Sequence, residues 1–444
     1  MQADTLRDMV RIAVFLAFAC ALTAADKNQH VIVVSLDGFP AYTLNDTNVP
    51  FPVLRRFLSE GASADAMKPV NPTVTWPNHT AIISGVNVAT HGVIYNGLPT
   101  RPAAGKALKV EPWVPKTELV QARTVYDAAH DAGLTTAEVD WVAIYKPPTV
   151  DFSFAEVPSL EGKIEREMLE AGSVTEEELR NWGKTSILMH DDVWTRAAAH
   201  IIEKHKPNLL MYHLLATDSA QHSYGARSLA ANTALILADR QLQRILDAVD
   251  RAGIRDTTTI FVVSDHGFKT YHHVIHPNAL LRQKGLLRSA DDNDAWVISE
   301  GGTAMVYVTR EERRKEVLAA FRTPITGVSQ VIAPEDYAKW GYPELTPNGR
   351  MADLVLAAAN DYAFDAAFNG EANTDSPAGA SPGSHGYLNT DTDMDAILVA
   401  WGAGIKRGVH TVAKPNVDVA ATVAKLLGVE LPGIQGKVLA EFLK

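Results

Sequence analysis

The chain has 444 residues, of which 46% are hydrophobic and 21% are charged, with 29 Gly and 23 Pro. This is the composition of an ordinary globular protein, and it excludes a repeat fibre and a wholly disordered chain. Asp and Glu number 52 against 41 Lys and Arg, so the formal net charge is −11. A nucleic-acid polymer would meet net repulsion and is not an expected partner, whereas small phosphate esters need only a local positive charge, which bound metal ions supply.

The amino terminus has the pattern of a secretory signal peptide. Arg7 and Arg11 precede an apolar run at 12–21, and small residues follow it. We expect cleavage after this stretch, with residues 1–25 as the signal peptide, and therefore a secreted or periplasmic protein. The alternative is a membrane anchor. The run is shorter than the roughly 20 apolar residues that span a bilayer, so no stable membrane span is expected.

The cysteine count limits the chemistry of the mature chain. The only cysteine, Cys20, lies within the predicted signal peptide. Cleavage would leave no thiol, which excludes disulfides, thiolate catalysis and thiolate metal sites.

Apolar runs alternate with helical patterns along the rest of the chain. The runs predict buried parallel strands at 31–36, 209–215, 259–264 and 397–401. Apolar periodicity predicts helices at 124–132, 193–204, 229–251 and 417–427, and Gly133, Gly253 and Gly428 stand where glycine ends a helix. This alternation predicts an α/β fold, with a mostly parallel sheet and helices on both faces.

The stretch from about 285 to 383 differs in composition. It has more Pro, Gly and Asn, scattered aromatic residues, and a section rich in Thr, Asp, Ser and Pro near 373–382. We expect an inserted subdomain with a loop, within a single domain that extends from 26 to 444.

Candidate metal ligands follow three of the predicted strands. Asp37 ends the first strand, and the pair Asp265 and His266 ends the third. In an open α/β sheet such side chains face the ligand crevice, and a carboxylate beside an imidazole suits Zn²⁺. Asp218 and His222 follow the second strand four residues apart, so on a helical turn they share a face and reach one ion. Each residue alone also has a structural explanation: an Asp-Gly turn, a surface cap or a hydrogen-bonded core histidine.

Two further segments carry candidate functional groups. Residues 71–80 read NPTVTWPNHT, in which Pro77 suits the first turn of a helix. The Thr75 hydroxyl would then lie at the amino end, where backbone N–H groups and the helix dipole favour a phosphate. The alternative is that Thr75 or Thr73 only caps the helix. Late in the chain, His385 lies on a glycine-flanked loop with the sequence GSHGY.

Taken in order, these segments resemble the nucleotide pyrophosphatase/phosphodiesterase (type I phosphodiesterase) family of the alkaline phosphatase superfamily. The likeness extends from about residue 31 to the carboxyl end, and the motifs that carry it are DGF, PTVTWPNH, HGVIYN, DSAQHSYG, SDHGF and SHGY. It implies an alkaline-phosphatase-like fold. It also implies a hydrolase that cleaves phosphodiester or pyrophosphate bonds in small phosphate esters or nucleotides.

The resemblance further implies two Zn²⁺ ions. One ion would be held by Asp218, His222 and His385, and the other by Asp37, Asp265 and His266 beside Thr75. Three protein ligands and an open position are typical of catalytic zinc. Because a threonine hydroxyl is a weak nucleophile, a cation would stabilise the Thr75 alkoxide, and a phospho-threonine would form. Asn96 would donate a hydrogen bond to a phosphoryl oxygen.

Substrate choice has several open alternatives. Trp76 stands where relatives carry an aromatic residue that helps to bind the leaving or nucleoside group, and it would either stack on the substrate or pack in the core. Aromatic residues of the nucleoside pocket are not recognisable around 140–141. Lys146 leaves a phosphate monoesterase as an alternative activity. Lys269 likewise leaves a phosphonoacetate-type hydrolase as an alternative. A non-catalytic zinc-dependent binding protein is a further alternative.

The histidines of the segment 272–276, HHVIH, are a candidate for a further ion. A solvated or hydrogen-bonded loop is the favoured interpretation. The sequence predicts no particular oligomeric state.

Overall fold

The computed structural model describes residues 25–101, 103–346, 349–377 and 379–444. The predicted signal peptide, apart from Ala25, lies outside the described residues, and so does Cys20. The strands of the central sheet are β1 (His30–Leu36), β2 (Ala62–Ala64), β3 (Thr136–Val139), β4 (Phe152–Phe154), β5 (Leu209–Leu214), β6 (Thr258–Val263), β7 (Leu398–Gly402) and β8 (Val409–Thr411). Their spatial order is β8-β2-β7-β6-β1-β5-β3-β4.

The central sheet is mostly parallel. β1 pairs in parallel with β5 and β6, and β3 pairs in parallel with β4 and β5. β7 is antiparallel to both of its neighbours, β6 and β2. The predicted strand at 397–401 is therefore correctly located, but its predicted parallel direction is wrong. Leu398 pairs with Val263, the last residue of β6, so the chain enters β7 at the carboxyl edge and must run backwards.

Helices cover both faces of this sheet. The larger ones are α1 (Pro52–Glu60), α2 (Thr75–Ser84), α3 (Val125–Asp131), α4 (Ile187–His205), α5 (Ala216–Tyr224), α6 (Leu229–Ala252) and α7 (Asp418–Leu427). Ile32 and Val34 of β1 pack in a core with α1, α4 and α6, whereas Val31 and Val33 face a core with α2, α3 and α7. This alternation follows from the two-residue period of a strand and confirms the predicted layers.

The four predicted helices are all present, as α3, α4, α6 and α7. α6 and α7 end at Gly253 and Gly428 in the left-handed conformation, with φ of 69° and 68°. α3 begins with a capping box in which the Thr124 and Asp127 side chains bond to each other's backbone N–H groups. In the described part of the chain, no helix combines the length and the apolar character that a membrane crossing requires.

A second sheet lies in the stretch expected to be an inserted subdomain. Its antiparallel strands are ordered Ala295–Ser299, Thr303–Val308, Leu354–Ala358 and Val328–Ile332. The boundary of 285–383 stays a prediction. At the base of this region, the strand Lys269–Thr270 pairs with Gly383–Ser384. That pairing returns the chain to the carboxyl edge of the central sheet, next to the end of β6.

The other elements are short. The helices are Val88–His91, Lys116–Leu119, Lys163–Glu170, Glu176–Arg180, Pro277–Gln283, Arg314–Arg322 and Tyr337–Trp340. The strand pairs are Leu98–Thr100 with Lys109–Glu111, Leu287–Ser289 with Asp292–Asn293, and Met67–Lys68 with Lys414–Pro415. His273–Ile275 pairs with both Tyr362–Phe364 and Asn373–Asp375.

Candidate metal centre and nucleophile

The six predicted metal ligands lie in two groups at the carboxyl edge of the central sheet. The first triad is Asp37, Asp265 and His266, and the second triad is Asp218, His222 and His385. Within each triad, one ligand atom from every residue lies within 4.8 Å of the others. The His266 and His385 rings stack with centroids 3.8 Å apart, so the two triads adjoin. The structure thus brings together residues from four separate segments of the chain.

The first triad is completely buried, and its ligand atoms face one another. His266 Nε2 lies 3.5 Å from Asp37 Oδ1 and 3.1 Å from Asp265 Oδ2. The His266 Nδ1–H donates to the carbonyl oxygen of Gly267 at 3.0 Å, so Nε2 presents a lone pair. Among the described residues, none of these three facing atoms makes a hydrogen bond. Facing lone pairs about 3.3 Å apart are what a tetrahedral ion with bonds of about 2.0–2.2 Å requires.

The second triad has the same arrangement but is partly open to solvent. His222 Nε2 and His385 Nε2 lie 3.4 and 3.6 Å from Asp218 Oδ1. The Nδ1–H of His222 donates to the carbonyl oxygen of Gly383, and that of His385 donates to the carbonyl oxygen of Thr73. Backbone carbonyls that fix the ring and its tautomer are typical of metal-binding histidine. The His222 side chain is 41% exposed, which gives a ligand access from solvent.

Burial and like charge shift the titration of these groups. Burial raises the pKa of Asp37 well above its usual value, and the carboxylates of Asp265 and Asp218 add to the rise. Burial also raises the pKa of Asp265 to about 6. It lowers the pKa of His266 to about 4 and that of His385 to about 3. Both rings are therefore neutral at neutral pH, which is the form that binds a metal, and a divalent cation would offset the repulsion between the carboxylates.

Thr75 is the first residue of α2 and is nearly buried. The capping position before it is Val74, and no side chain caps the helix. The Thr73 hydroxyl instead donates to the carbonyl oxygen of Tyr387 at 2.7 Å. The alternative that Thr75 or Thr73 only caps α2 is therefore wrong. As the first helical residue, Thr75 has a backbone N–H without an intrahelical partner, at the positive end of the helix dipole.

Two side chains tie this helix end to its surroundings. The His79 Nδ1–H donates to the carbonyl oxygen of Thr75 at 2.9 Å, and the same nitrogen lies 3.6 Å from Asp265 Oδ2 of the first triad. The Trp76 N–H donates to Asn96 Oδ1 at 2.8 Å. Because its oxygen already accepts this bond, Asn96 offers its Nδ2 hydrogens to a ligand.

His213 on β5 is a buried contact of the first triad that the sequence interpretation does not include. Its Nε2–H donates to Asp37 Oδ2 at 2.9 Å. Its Nδ1–H donates to the backbone oxygen of Asp140 at 3.0 Å and lies 3.1 Å from Asp140 Oδ2. Burial lowers the pKa of His213, but the two carboxylates outweigh it and raise the pKa well above its usual value. One oxygen of Asp37 is thus held by His213, while the other faces the triad.

An aromatic pocket lies beside the start of α2. Trp76, Trp113, Tyr145 and Lys146 are among its lining residues. The Trp113 and Tyr145 rings meet edge to face with centroids 5.7 Å apart, and the Lys146 ammonium lies 5.1 Å from the Tyr145 ring. Trp113 is 51% and Tyr145 38% exposed, so both present apolar area to solvent. Trp76 lines this pocket and also packs, partly buried, against the small apolar cluster that includes Val93 and Leu119.

The remaining candidate groups are engaged in other contacts. Lys269 Nζ donates to Asp391 Oδ2 at 2.6 Å and to Asn360 Oδ1 at 3.0 Å. In the segment 272–276, His272, His273 and His276 pair with Asp361, Asp375 and Asp365, at 2.6, 2.7 and 3.2 Å. These histidines belong to none of the three-residue ligand groups in the described ranges. The predicted hydrogen bonds of these histidines are present, but the segment is not a loop, because His273–Ile275 is a paired strand and His276 precedes the helix Pro277–Gln283.

Comparison with known proteins identifies the family. The family model of type I phosphodiesterase / nucleotide pyrophosphatase matches residues 31–388. The chain belongs to this family. It is an enzyme of the phosphodiesterase and nucleotide pyrophosphatase class of hydrolases, as the sequence predicts.

Relatives and solved structures match over most of the chain. Ectonucleotide pyrophosphatase/phosphodiesterase family member 7 of Mus musculus is 22% identical over 428 residues, which cover 94% of this chain and 88% of the relative. Bis(5'-adenosyl)-triphosphatase enpp4 of Xenopus laevis is 22% identical over 406 residues, covering 90% and 78%. Murine ectonucleotide pyrophosphatase / phosphodiesterase 5 superposes with a TM-score of 0.72 at 18% identity, covering 94% of this chain and 100% of that one. An inactive threonine-to-alanine variant of that protein, in complex with AMP, gives a TM-score of 0.73 at the same 18% identity and the same coverage of both chains. These matches confirm the alkaline-phosphatase-like fold class.

Proposed function

We propose that the chain is an exported dizinc hydrolase that cleaves phosphodiester or pyrophosphate bonds through a phospho-threonine intermediate on Thr75. The observation that carries the proposal is the pair of adjoining triads, in each of which the ligand atoms face one another next to the amino end of α2. The inactive threonine-to-alanine variant of a related structure, bound to AMP, supports a threonine in the central role. Relatives with the prefix ecto in their names support export.

Each group of the site has a part in this reaction. Zinc ions bound to the two triads would supply the positive charge that stabilises a threonine alkoxide and a leaving oxygen, and a water of lowered pKa. The Thr75 Oγ gives up its proton to solvent and attacks phosphorus, and the bond between phosphorus and the leaving oxygen breaks on the opposite side. The leaving group departs and takes a proton from water where its oxygen requires one. Water then attacks the phospho-threonine, which releases phosphate monoester and restores the hydroxyl. Asn96 Nδ2 and the free N–H of Thr75 donate to the non-bridging oxygens, where charge increases in the transition state.

The aromatic pocket favours a nucleotide among the small phosphate esters. Trp76, Trp113 and Tyr145 provide flat apolar surfaces beside the proposed nucleophile, and an aromatic face stacks on any nucleobase. A relative named as a bis(5'-adenosyl)-triphosphatase and the AMP complex of another agree with this substrate class. The phosphonoacetate alternative depends on Lys269, which is already paired with Asp391. This contact weighs against the phosphonoacetate reaction, whereas Lys146 lines the pocket beside Trp76, so the monoesterase alternative is decided by the rate comparison below.

A rate comparison with a matched variant tests the proposal. We expect bis-p-nitrophenyl phosphate to be hydrolysed faster than p-nitrophenyl phosphate or phosphonoacetate, and chelation to abolish the reaction. Thr75→Ala should keep its zinc but lose at least roughly 10³-fold in kcat and form no covalent phosphoenzyme. Thr90→Ala, at an exposed site on the neighbouring helix Val88–His91, is the control and should match the parent. Preference for the monoester would overturn the diesterase assignment, and near-normal turnover of Thr75→Ala would remove Thr75 from its role.

A further inference from the structure

A third group of metal-ligand side chains lies away from the two triads described above. Glu167 is on the helix Lys163–Glu170, and His200 and His205 are in the last turns of α4. His200 Nε2 lies 3.1 Å and His205 Nε2 lies 2.6 Å from the same atom, Glu167 Oε2. One ligand atom of each residue lies within 4.8 Å of the other two. We call Glu167, His200 and His205 the surface triad.

The surface triad is at the amino edge of the central sheet, opposite the catalytic edge. α4 ends at His205, shortly before β5 begins at Leu209, whereas Asp218 follows the carboxyl end of β5. The His205 ring stacks on Phe152, the first residue of β4, with centroids 4.0 Å apart. Because β5 has six residues at about 3.3 Å each, roughly 20 Å separate the two edges. An ion in the surface triad would therefore not touch a substrate at Thr75.

The donor set suits a zinc-type cation. Two imidazoles and one carboxylate, with water in the remaining position, form an established zinc environment. The two histidine Nε2 atoms lie 3.1 and 2.6 Å from Glu167 Oε2, and the ligand atoms of a tetrahedral zinc ion are about 3.3 Å apart. A small outward rotation of the side chains would give this separation. The three side chains are only 14–23% exposed, so their rotamers are restrained while an ion still has access.

The charge state of the triad is also compatible with a cation. Burial raises the pKa of Glu167, but hydrogen bonds from His200 and His205 outweigh it and lower the pKa. The carboxylate is therefore ionised at neutral pH. A divalent ion would take the place of the two hydrogen-bonded protons and be bound by the same three atoms, with each neutral imidazole then carrying its proton on Nδ1.

We propose that the surface triad is a third divalent-cation site, which takes zinc and has a structural role. The ion would join the helix Lys163–Glu170 to the end of α4. Both lie against β4, which is one of the two edge strands of the sheet and pairs only with β3 among the described residues. Edge strands are the weakest part of a sheet, and a cross-link there would stabilise the fold without entering the reaction.

Zinc stoichiometry of tag-free protein tests the proposal. The parent and variants are equilibrated with Zn²⁺, freed of unbound ion by gel filtration, and assayed for zinc, thermal unfolding and hydrolysis of bis-p-nitrophenyl phosphate. We expect Glu167→Gln to bind one zinc fewer per chain than the parent, with kcat unchanged. We also expect added zinc, after the catalytic triads are saturated, to raise the Tm of the parent but not of this variant. His200→Gln, from the other helix, should give the same two losses and guards against a folding defect specific to Glu167→Gln.

Two control variants separate this site from general surface binding. His410→Gln removes an exposed imidazole that pairs with Asp65 but belongs to no three-residue group in the described chain. Glu203→Gln removes a carboxylate of α4 that pairs with Arg251. Both should keep the parental zinc count. Equal zinc in the parent and Glu167→Gln would overturn the proposal, and so would an equal loss in either control.

Discussion

Replacing His213 with glutamine tests whether this buried imidazole positions Asp37 for metal binding. The ring nitrogens of His213 donate in two directions, to Asp37 Oδ2 at 2.9 Å and to Asp140 at 3.0 Å. A glutamine carboxamide has its hydrogens on a single nitrogen, so it cannot replace both bonds. At 1% exposure there is no bulk water at this position to replace the lost donor.

The expected size of the effect follows from these contacts. Partners that orient a metal ligand typically contribute 10- to 100-fold to metal affinity, which is about 1.4–2.7 kcal/mol. A buried acceptor that loses its donor costs about 1–3 kcal/mol of unfolding free energy. For His213→Gln we therefore expect the first triad to bind zinc roughly 10- to 100-fold more weakly, with the second triad unaffected.

Zinc-buffered kinetics measure this loss directly. The rate of diester hydrolysis is followed against free zinc, and we expect half-maximal activity of His213→Gln at roughly 10- to 100-fold higher free zinc, with kcat largely recovered at saturation. His190→Gln is a matched control, because His190 is a partly buried histidine bonded to Trp182 and Thr185 away from the site. A half-maximal zinc concentration within about twofold of the parent, in a folded variant, would refute the positioning role, since a 10-fold effect is the lower limit expected.

Three further substitutions test other groups. Asn96→Ala should lower kcat by roughly 10²- to 10³-fold with little change in KM, because it removes a hydrogen-bond donor to the transition state. A decrease in kcat of less than about threefold in steady-state assays would contradict this role. Trp113→Ala should raise the KM for a nucleotide diester by roughly 5- to 150-fold, which is equivalent to about 1–3 kcal/mol of stacking, and leave the KM for bis-p-nitrophenyl phosphate unchanged. Equal KM values of parent and variant for the nucleotide diester would exclude base stacking on Trp113. Burial raises the pKa of Glu138 from 4.5 to about 8, so the folded protein binds the carboxyl proton more tightly than the unfolded chain does. The stability of the parent therefore falls as the pH rises from about 4.5 to about 8. Above pH 8, the unfolding free energy of Glu138→Gln should therefore exceed that of the parent by up to about 5 kcal/mol, and near pH 4 the two should be equal. Denaturant titrations at both pH values measure this difference. The same difference at both pH values would contradict the burial effect.

The layers of the fold were predictable because the physics that sets them is local. β1, β5 and β6 are buried on both faces, and their continuous apolar runs in the sequence indicate this burial. Helix ends such as Gly253 and Gly428 require a backbone conformation that glycine adopts at little cost. Strand direction is not local. The run at 397–401 has the same apolar character as its neighbours, and only the return of the chain at the carboxyl edge makes β7 antiparallel.

The positions of the proposed ligands were predictable for a related reason. Parallel strands place their carboxyl ends at one edge, so Asp37, Asp218 and Asp265 had to lie close together once the strands were assigned. His385 is different, because its placement depends on the short pairing of Lys269–Thr270 with Gly383–Ser384. Neither strand has a distinctive pattern, and only the family resemblance suggested this ligand.

The residues that were not predicted have no local signature. His213 is one imidazole within the apolar strand β5, where a hydrogen-bonded core histidine is equally consistent with the pattern. Trp113 and Tyr145 are separated by more than 30 positions and lie outside the long helices and strands. Their approach to Trp76 is a tertiary contact. The surface triad likewise joins Glu167 to residues of another helix.

The order in which the ligands occur along the chain has a consequence for biosynthesis. His385 is the last of the six proposed ligands to be translated, and β7, which lies between β2 and β6 in the interior of the sheet, follows it. A nascent polypeptide that stops before this point lacks one member of the second triad and the strand that joins the two parts of the sheet. A polypeptide that terminates before His385 is therefore expected to have no hydrolytic activity.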